Sequence, residues 1–164
     1  MVPGMSEEYI QAMADSFGYL FLLSRRFEYI TDQILKKDGL TTKQLLLLIA
    51  ISRGFSEPPS VSQVADILST GHQNIKQIAN QLEKKGFIKL VRDENDRRKW
   101  LFTITNKNQE YWDSKAKEHT KAIFALFQTL TPSEVDQFSK LVMKLVEGTD
   151  EAYKQSRSES ESSE

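Results

Sequence analysis

The chain has 164 residues, a formal net charge of −1, a hydrophobic fraction of 39% and no cysteine. That length suits one domain with helical extensions. Missing thiols exclude disulfides, thiol redox sensing and thiolate metal sites, and near neutrality excludes a uniformly basic coat for nucleic acid.

Other classes fall away on spacing. His72 and His119 are far apart in sequence and form no metal pair at helical spacing. The longest apolar run, Leu45–Ile51, is bounded by Lys43-Gln44 and Ser52-Arg53, which predicts a core helix rather than a membrane span. No secretory apolar region follows the start, so a cytoplasmic location is expected. Met1–Gly4 reads either as an added leader or as a ragged start before Met5. No nucleophile and base stand at a supporting spacing, and no glycine loop is suited to phosphate. Neither an enzyme nor a cofactor is expected.

In chain order, Ser6 to about Lys37 carries Ile10, Met13, Phe17, Leu20, Phe21, Ser24, Phe27 and Ile34 near one helical stripe. Asp38-Gly39 ends it, glycine suiting the left-handed position after a helix. The length predicts one continuous helix that reaches a neighbouring chain or the far end of the fold; the alternative is a kink near Gly18. Thr41 with Gln44 predicts a capping box opening a helix to about Arg53. Gly54–Pro59 breaks the pattern, and Val61 is a candidate for one short strand. Ser60 or Ser62 then caps a short helix through Leu68.

A turn at Ser69-Thr70-Gly71 leads to a helix predicted over 71–85. Ile75, Ile78, Ala79 and Leu82 form its buried stripe. Its other faces carry His72, Gln73, Asn74, Lys76, Gln77, Asn80, Gln81 and Lys84. Asn and Gln bond an adenine edge bidentately, and Lys reaches guanine or phosphate. Any surface helix is polar, but one rich in amides with a single acid, Glu83, suits base reading.

Gly86 stops that helix. Phe87–Val91 and Trp100–Ile104 read as strands joined by the polar loop Arg92–Lys99. Four cations at a hairpin tip suit a narrow minor groove; equally, Asp93 and Asp96 suit bracing of Arg97 and Arg98. Between Lys76 and Lys107 nine basic residues stand against four acids, a local surplus of five on a chain that is otherwise acidic. Helix, turn, helix, strand, loop, strand is the layout of a winged helix-turn-helix.

A second long helix opens at Thr105 and runs to about Thr129, with Trp112, Ala116, Ile123, Phe127 and Leu130 spaced helically. Thr131-Pro132-Ser133-Glu134 is a strong start signal for a last helix to about Tyr153. From Gln155 the chain is Ser, Glu and Arg, and a disordered acidic tail over 155–164 is expected. The fold class is therefore mainly α with a small β-hairpin wing. A winged helix-turn-helix spans 41–105, and a helical dimerisation region is formed by 6–37 and 106–153. Phe17, Phe21, Phe27, Phe124, Phe127 and Phe138 load the terminal helices with aromatics, which suits a two-fold helical interface; the alternative is that these helices pack within one chain as a bundle.

The run Leu82-Glu83-Lys84-Lys85-Gly86-Phe87-Ile88, then Arg92-Asp93, then Asp96-Arg97-Arg98 before Leu101-Phe102-Thr103-Ile104-Thr105, resembles the MarR family of bacterial transcriptional regulators. The flanking helices extend the resemblance over about 6–153. It implies an obligate homodimer with the reading helix in the major groove and a wing arginine in the minor groove of double-stranded DNA. Expected DNA contacts are Ser62, Thr70, His72, Gln73, Asn74, Lys76, Gln77, Lys84, Arg92, Arg97, Arg98 and Lys99. Expected dimer contacts are Ile10, Met13, Phe17, Phe138, Leu141 and Leu145. The family also implies a small aromatic or phenolic effector, for which Phe17, Phe21, Arg25, Leu46 and Trp112 are candidate lining residues. Two departures stand out. Gln77 replaces a frequent arginine, which alters sequence preference. Asn108 replaces a usual glycine, a helix-start difference of little expected functional weight. The rival reading is a winged-helix module that binds protein and no DNA.

Overall fold

A computed structural model describes residues 4–161. Met1–Pro3, most of the leader questioned above, and Ser162–Glu164 lie outside the described residues. Helix α1 runs unbroken over Glu7–Leu35, with no kink needed at Gly18. The Ser6 hydroxyl accepts from the Tyr9 amide at its start, and a 3-10 turn over Lys36–Asp38 ends at Gly39 with φ 67°. Helix α2 spans Thr42–Arg53, α3 Val61–Ile67 and α4 His72–Lys84. Strands β1 (Ile88–Arg92) and β2 (Trp100–Ile104) pair antiparallel, from Ile88 opposite Ile104 to Arg92 opposite Trp100. Helices α5 (Asn106–Phe127) and α6 (Pro132–Glu161) complete the chain.

The core lies inside the helix-turn-helix and its hairpin. Leu47 and Leu48 of α2, Val64 and Ala65 of α3, the Ile75–Leu82 stripe of α4, and Ile88 and Phe102 of the hairpin are buried together. These are the positions that a period of 3.6 on the helices and 2 on the strands turns to one side. At roughly 25 cal/mol per Å2 of apolar surface, burying each large side chain contributes about 1.5–3 kcal/mol.

Several local expectations are corrected. Thr41 does cap α2, accepting from the Gln44 amide at 3.3 Å. The Gln44 side chain does not reach back, however; it is buried, donates to Gln81 and accepts from Lys85. A complete box sits instead at Ser60, at the start of α3, whose hydroxyl takes the Gln63 amide while the Gln63 side chain takes the Ser60 amide. Val61 is the first residue of α3, and the short extended contact belongs to Ser60, bridged to Leu101. The turn at Ser69-Thr70-Gly71 is present as expected, with Ser69 left-handed at φ 48° and Gly71 extended.

The largest correction is at the end. Residues 155–161, expected to be disordered, continue α6 as helix. Their composition offers no apolar stripe, but a helix already begun adds residues without a new nucleus, and side-chain pairs four apart line it. Lys154 pairs with Asp150 at 2.5 Å and Gln155 donates to Glu159. Arg157 also pairs with Asp66 of α3, tying the end of α6 to the helix-turn-helix.

The aromatic load divides. Phe27, Phe127 and Phe138 form a chain of rings 6.0 and 6.2 Å apart that joins α1, α5 and α6. Phe17, Phe21 and Phe124 are exposed, at 67%, 62% and 70%.

Candidate nucleic-acid interface

Helix α4 turns its apolar stripe inward and leaves His72, Gln73, Asn74, Lys76, Gln77 and Lys84 exposed. Gly71 lies before it with extended backbone and no capping side chain. The turn orders the first of these groups: Thr70 Oγ1 accepts from Asn74 Nδ2 at 2.9 Å. Thr70 is half-buried, so it holds Asn74 rather than standing free. Ser62 is exposed near the start of α3, and it shares a cleft of about 700 Å3 with Lys99 and Asp93 at the base of the wing. Of the expected contacts, Ser62 of α3 and Lys99 of the wing meet at this cleft, and no α4 residue lines it.

The wing is built on two aspartates. Asp93 Oδ1 accepts the amides of Asn95 at 2.7 Å and Asp96 at 3.1 Å, an Asx turn. Asp96 Oδ1 accepts both the backbone amide and Nε of Arg98, at 3.1 and 3.2 Å. The Arg98 guanidinium, its backbone amide and the nearby Lys99 charge hold the Asp96 carboxyl below the usual carboxylate value. Arg98 nevertheless stays 93% exposed, with the far side of its guanidinium open. Arg97 and Lys99 are exposed as well.

Arg92 behaves differently. Its guanidinium lies over the Trp100 ring, 3.9 Å from the centroid, and its Nη1 donates to the Arg97 carbonyl at 2.5 Å. Sequence reasoning missed Trp100 as part of this site. The signal was present, because a hairpin that closes on the Arg92–Lys99 loop places Trp100 directly across from Arg92.

A second site lies between α1, α2 and α5. A cavity of about 550 Å3 is lined by Ile34, Leu48, Arg53, Asn108, Trp112 and His119, among others. Of the five expected effector contacts only Trp112 lines it. Phe17, Phe21 and Arg25 do not, because a shared helical stripe does not fix which stretch of α1 meets α5, and Leu46 is exposed while Leu45, Leu48 and Ile49 of α2 line the cavity. Asn108 has more weight than expected: it is buried, and its side-chain oxygen accepts from Trp112 Nε1 at 2.9 Å. The stripe Asn108, Trp112, His119, Ile123 on α5 was the sequence signal for this wall.

Beside the cavity sits a polar knot. Tyr111 donates to Asp38 at 3.0 Å and Lys115 pairs with Asp38 at 3.0 Å. Burial works to raise Asp38, but hydrogen bonds from Lys115 and Tyr111 with the charges of Lys115 and Lys37 hold it below the usual value. Burial, then Asp38, pushes the Tyr111 phenol well up. The His119 ring lies tilted at 55° beside Trp112, ring centroids 5.0 Å apart, and its buried Nε2 has no hydrogen-bond partner among the described residues.

Comparisons with known proteins agree with this geometry. The family model described as MarR family matches residues 38–99. The chain is 33% identical over 88 residues to the transcriptional activatory protein BadR of Rhodopseudomonas palustris, covering 53% of this chain and 50% of BadR. It is 25% identical over 120 residues to the transcriptional repressor MprA of Escherichia coli K12, covering 73% of this chain and 68% of MprA. The chain thus spans half to about two thirds of the length of these curated relatives. Among solved structures, S. aureus MepR in its DNA complex superposes with a TM-score of 0.67 at 19% identity, covering 80% of this chain and 97% of that one. Winged hairpin, reading helix and flanking helices converge with the family match: residues 38–99 match the MarR family model, and the fold of the whole chain is similar to that of MarR proteins.

Proposed function

We propose that this protein is a cytoplasmic DNA-binding transcriptional regulator that acts as a homodimeric repressor on an inverted-repeat operator. The observation that carries the reading is the division of α4. Its whole apolar stripe is sealed in the core, while five consecutive-face groups, His72, Gln73, Asn74, Lys76 and Gln77, face solvent. Amides and a lysine in that array match the donor and acceptor pattern of the major groove, and the exposed Arg97 and Arg98 match the minor groove. The likeness to MepR, solved on DNA, supports the same use of the fold.

Pairing is supported by apolar surface that one copy leaves open. Met13 and Phe17 on α1, and Leu141 and Leu145 on α6, are exposed, with Ile10 and Phe138 half-buried beside them. Patches of this extent mark association surfaces. Release by a small aromatic anion is supported by the apolar cavity, which carries Arg53 and the unpartnered His119 ring nitrogen. A ligand there acts only through different affinity for lobe spacings that fit and do not fit the duplex.

Selection of bound fragments from a random duplex library, followed by anisotropy titration, tests the reading. The expected result is a palindrome with half-sites about 10 base pairs apart and an affinity that falls steeply with salt. Absence of binding to any duplex at low salt would favour the protein-interaction module instead. Thermal stabilisation by phenolic acids, abolished in Trp112→Ala, is the expected sign of the effector site; stabilisation indifferent to that change places the ligand elsewhere.

A further inference from the structure

We infer that Arg92 and Trp100 form a brace at the foot of the wing, that Trp100 is a positioning residue for duplex binding, and that Arg92 acts through the protein rather than by touching phosphate. This rests on the DNA-reading function proposed above. The two residues are the last register pair of the hairpin, where the chain leaves the strands for the tip. The guanidinium is held on two sides. The indole face lies 3.9 Å from its carbon, and Nη1 is committed to the carbonyl of Arg97 at 2.5 Å. Arg97 is itself at the tip, next to Arg98, whose backbone amide and Nε are fixed by Asp96.

The loop therefore has two independent supports. The aspartates hold its inner turn by accepting amide hydrogens, and Arg92 holds its outer rim by donating to a carbonyl. Backbone bonds from Asp93 to the Lys99 carbonyl and from Lys99 to the Asp96 carbonyl close the base of the loop; of the two side-chain supports, the second ties the Arg97 carbonyl to the strand pair through Arg92. A cation over an indole face is attracted by the ring quadrupole, and a planar guanidinium in that position points its edge donors along one direction. Removing the ring frees the arginine to turn to solvent, and the Arg97 carbonyl loses its fixed donor. The tip then samples more poses, and docking Arg97 and Arg98 into a groove of set width becomes less favourable.

The experiment is a salt series of anisotropy titrations on the selected duplex, with full-length Trp100→Ala, Trp100→Phe, Arg92→Ala, the Trp100→Ala/Arg92→Ala double variant and Arg98→Ala. Amide NMR spectra of the free proteins accompany it. Trp100→Ala is expected to weaken binding about three- to tenfold, Trp100→Phe to restore most of that, and the double variant to match Arg92→Ala alone. The dependence of log affinity on log salt stays as in wild type for Trp100→Ala and Arg92→Ala, whereas Arg98→Ala lowers its slope by about one. In the free protein, the Asn95–Arg98 amide signals move in both Trp100→Ala and Arg92→Ala. Additive losses, or a salt slope reduced by about one in Arg92→Ala, would assign Arg92 to phosphate and overturn the brace. Tip amides unmoved by Trp100→Ala overturn it without reference to DNA. Wild-type protein that binds no duplex defeats the functional reading itself, a result distinct from either.

Discussion

His119 places a titratable ring against Trp112, with Asp38, Lys115 and Lys37 the charged groups whose fields reach it and Tyr111 also beside it. Burial lowers its affinity for a proton, Asp38 opposes that, and the two lysines reinforce it, so its value in the fold lies below the ordinary one. The unfolded chain then takes the proton first. Stability is full above the unfolded value, near about 6.5, and falls as pH drops through the folded one. Asp38 is also lowered, so its contribution is lost in a separate and more acidic window, through the carboxylate range. Thermal melts from pH 7.5 to 5 are expected to show a falling midpoint in wild type and a flatter profile in His119→Asn. Equal slopes in the two proteins would remove His119 from the account.

Glycine and threonine punctuation sets the elements. Gly86 has φ 79°, and its carbonyl accepts from Thr105 Oγ1 at 2.7 Å, joining the end of α4 to the start of α5. Gly86→Ala is expected to cost about 1–2 kcal/mol in urea unfolding, since a side chain is strained in that conformation whatever the space. The start of α6 is a full box: the Glu134 amide donates to Thr131 Oγ1 and the Glu134 carboxylate accepts from the Thr131 amide. Thr131→Ala is expected to cost about 1 kcal/mol in the same assay. Such starts and stops were legible in the sequence, because a cap is a local event between residues three apart. The buried stripe of α4 and the pairing of the wing strands were legible for the same reason, through period alone. What was hidden depends on distance along the chain. The cavity brings α1 and α2 against α5, which no window of sequence contains. The last two turns of α6 are held by pairs and by Asp66, not by an apolar stripe. The charge of Arg92 is visible in the sequence, whereas its ring partner, Trp100, lies across a loop.

At the scale of the molecule, one copy leaves Phe17, Phe124 and Leu141 open to water on three helices. Covering them with a second copy is the economical arrangement. Phe17→Asp with Leu141→Asp is expected to give a monomer by light scattering, with operator affinity lower by at least about 100-fold, since two tethered heads bind as one unit. A double variant that stays dimeric would move the interface off these faces. Asp66 links the end of α6 to α3, so the terminal helix and the helix-turn-helix are fastened together within one chain. Placement of the aromatic residues has a practical consequence. The chain has two tryptophans, one under the wing arginine and one in the cavity wall. Emission from the first reports on the head and from the second on the cavity, so Trp100→Phe and Trp112→Phe proteins give separate optical channels for following each site without an added dye.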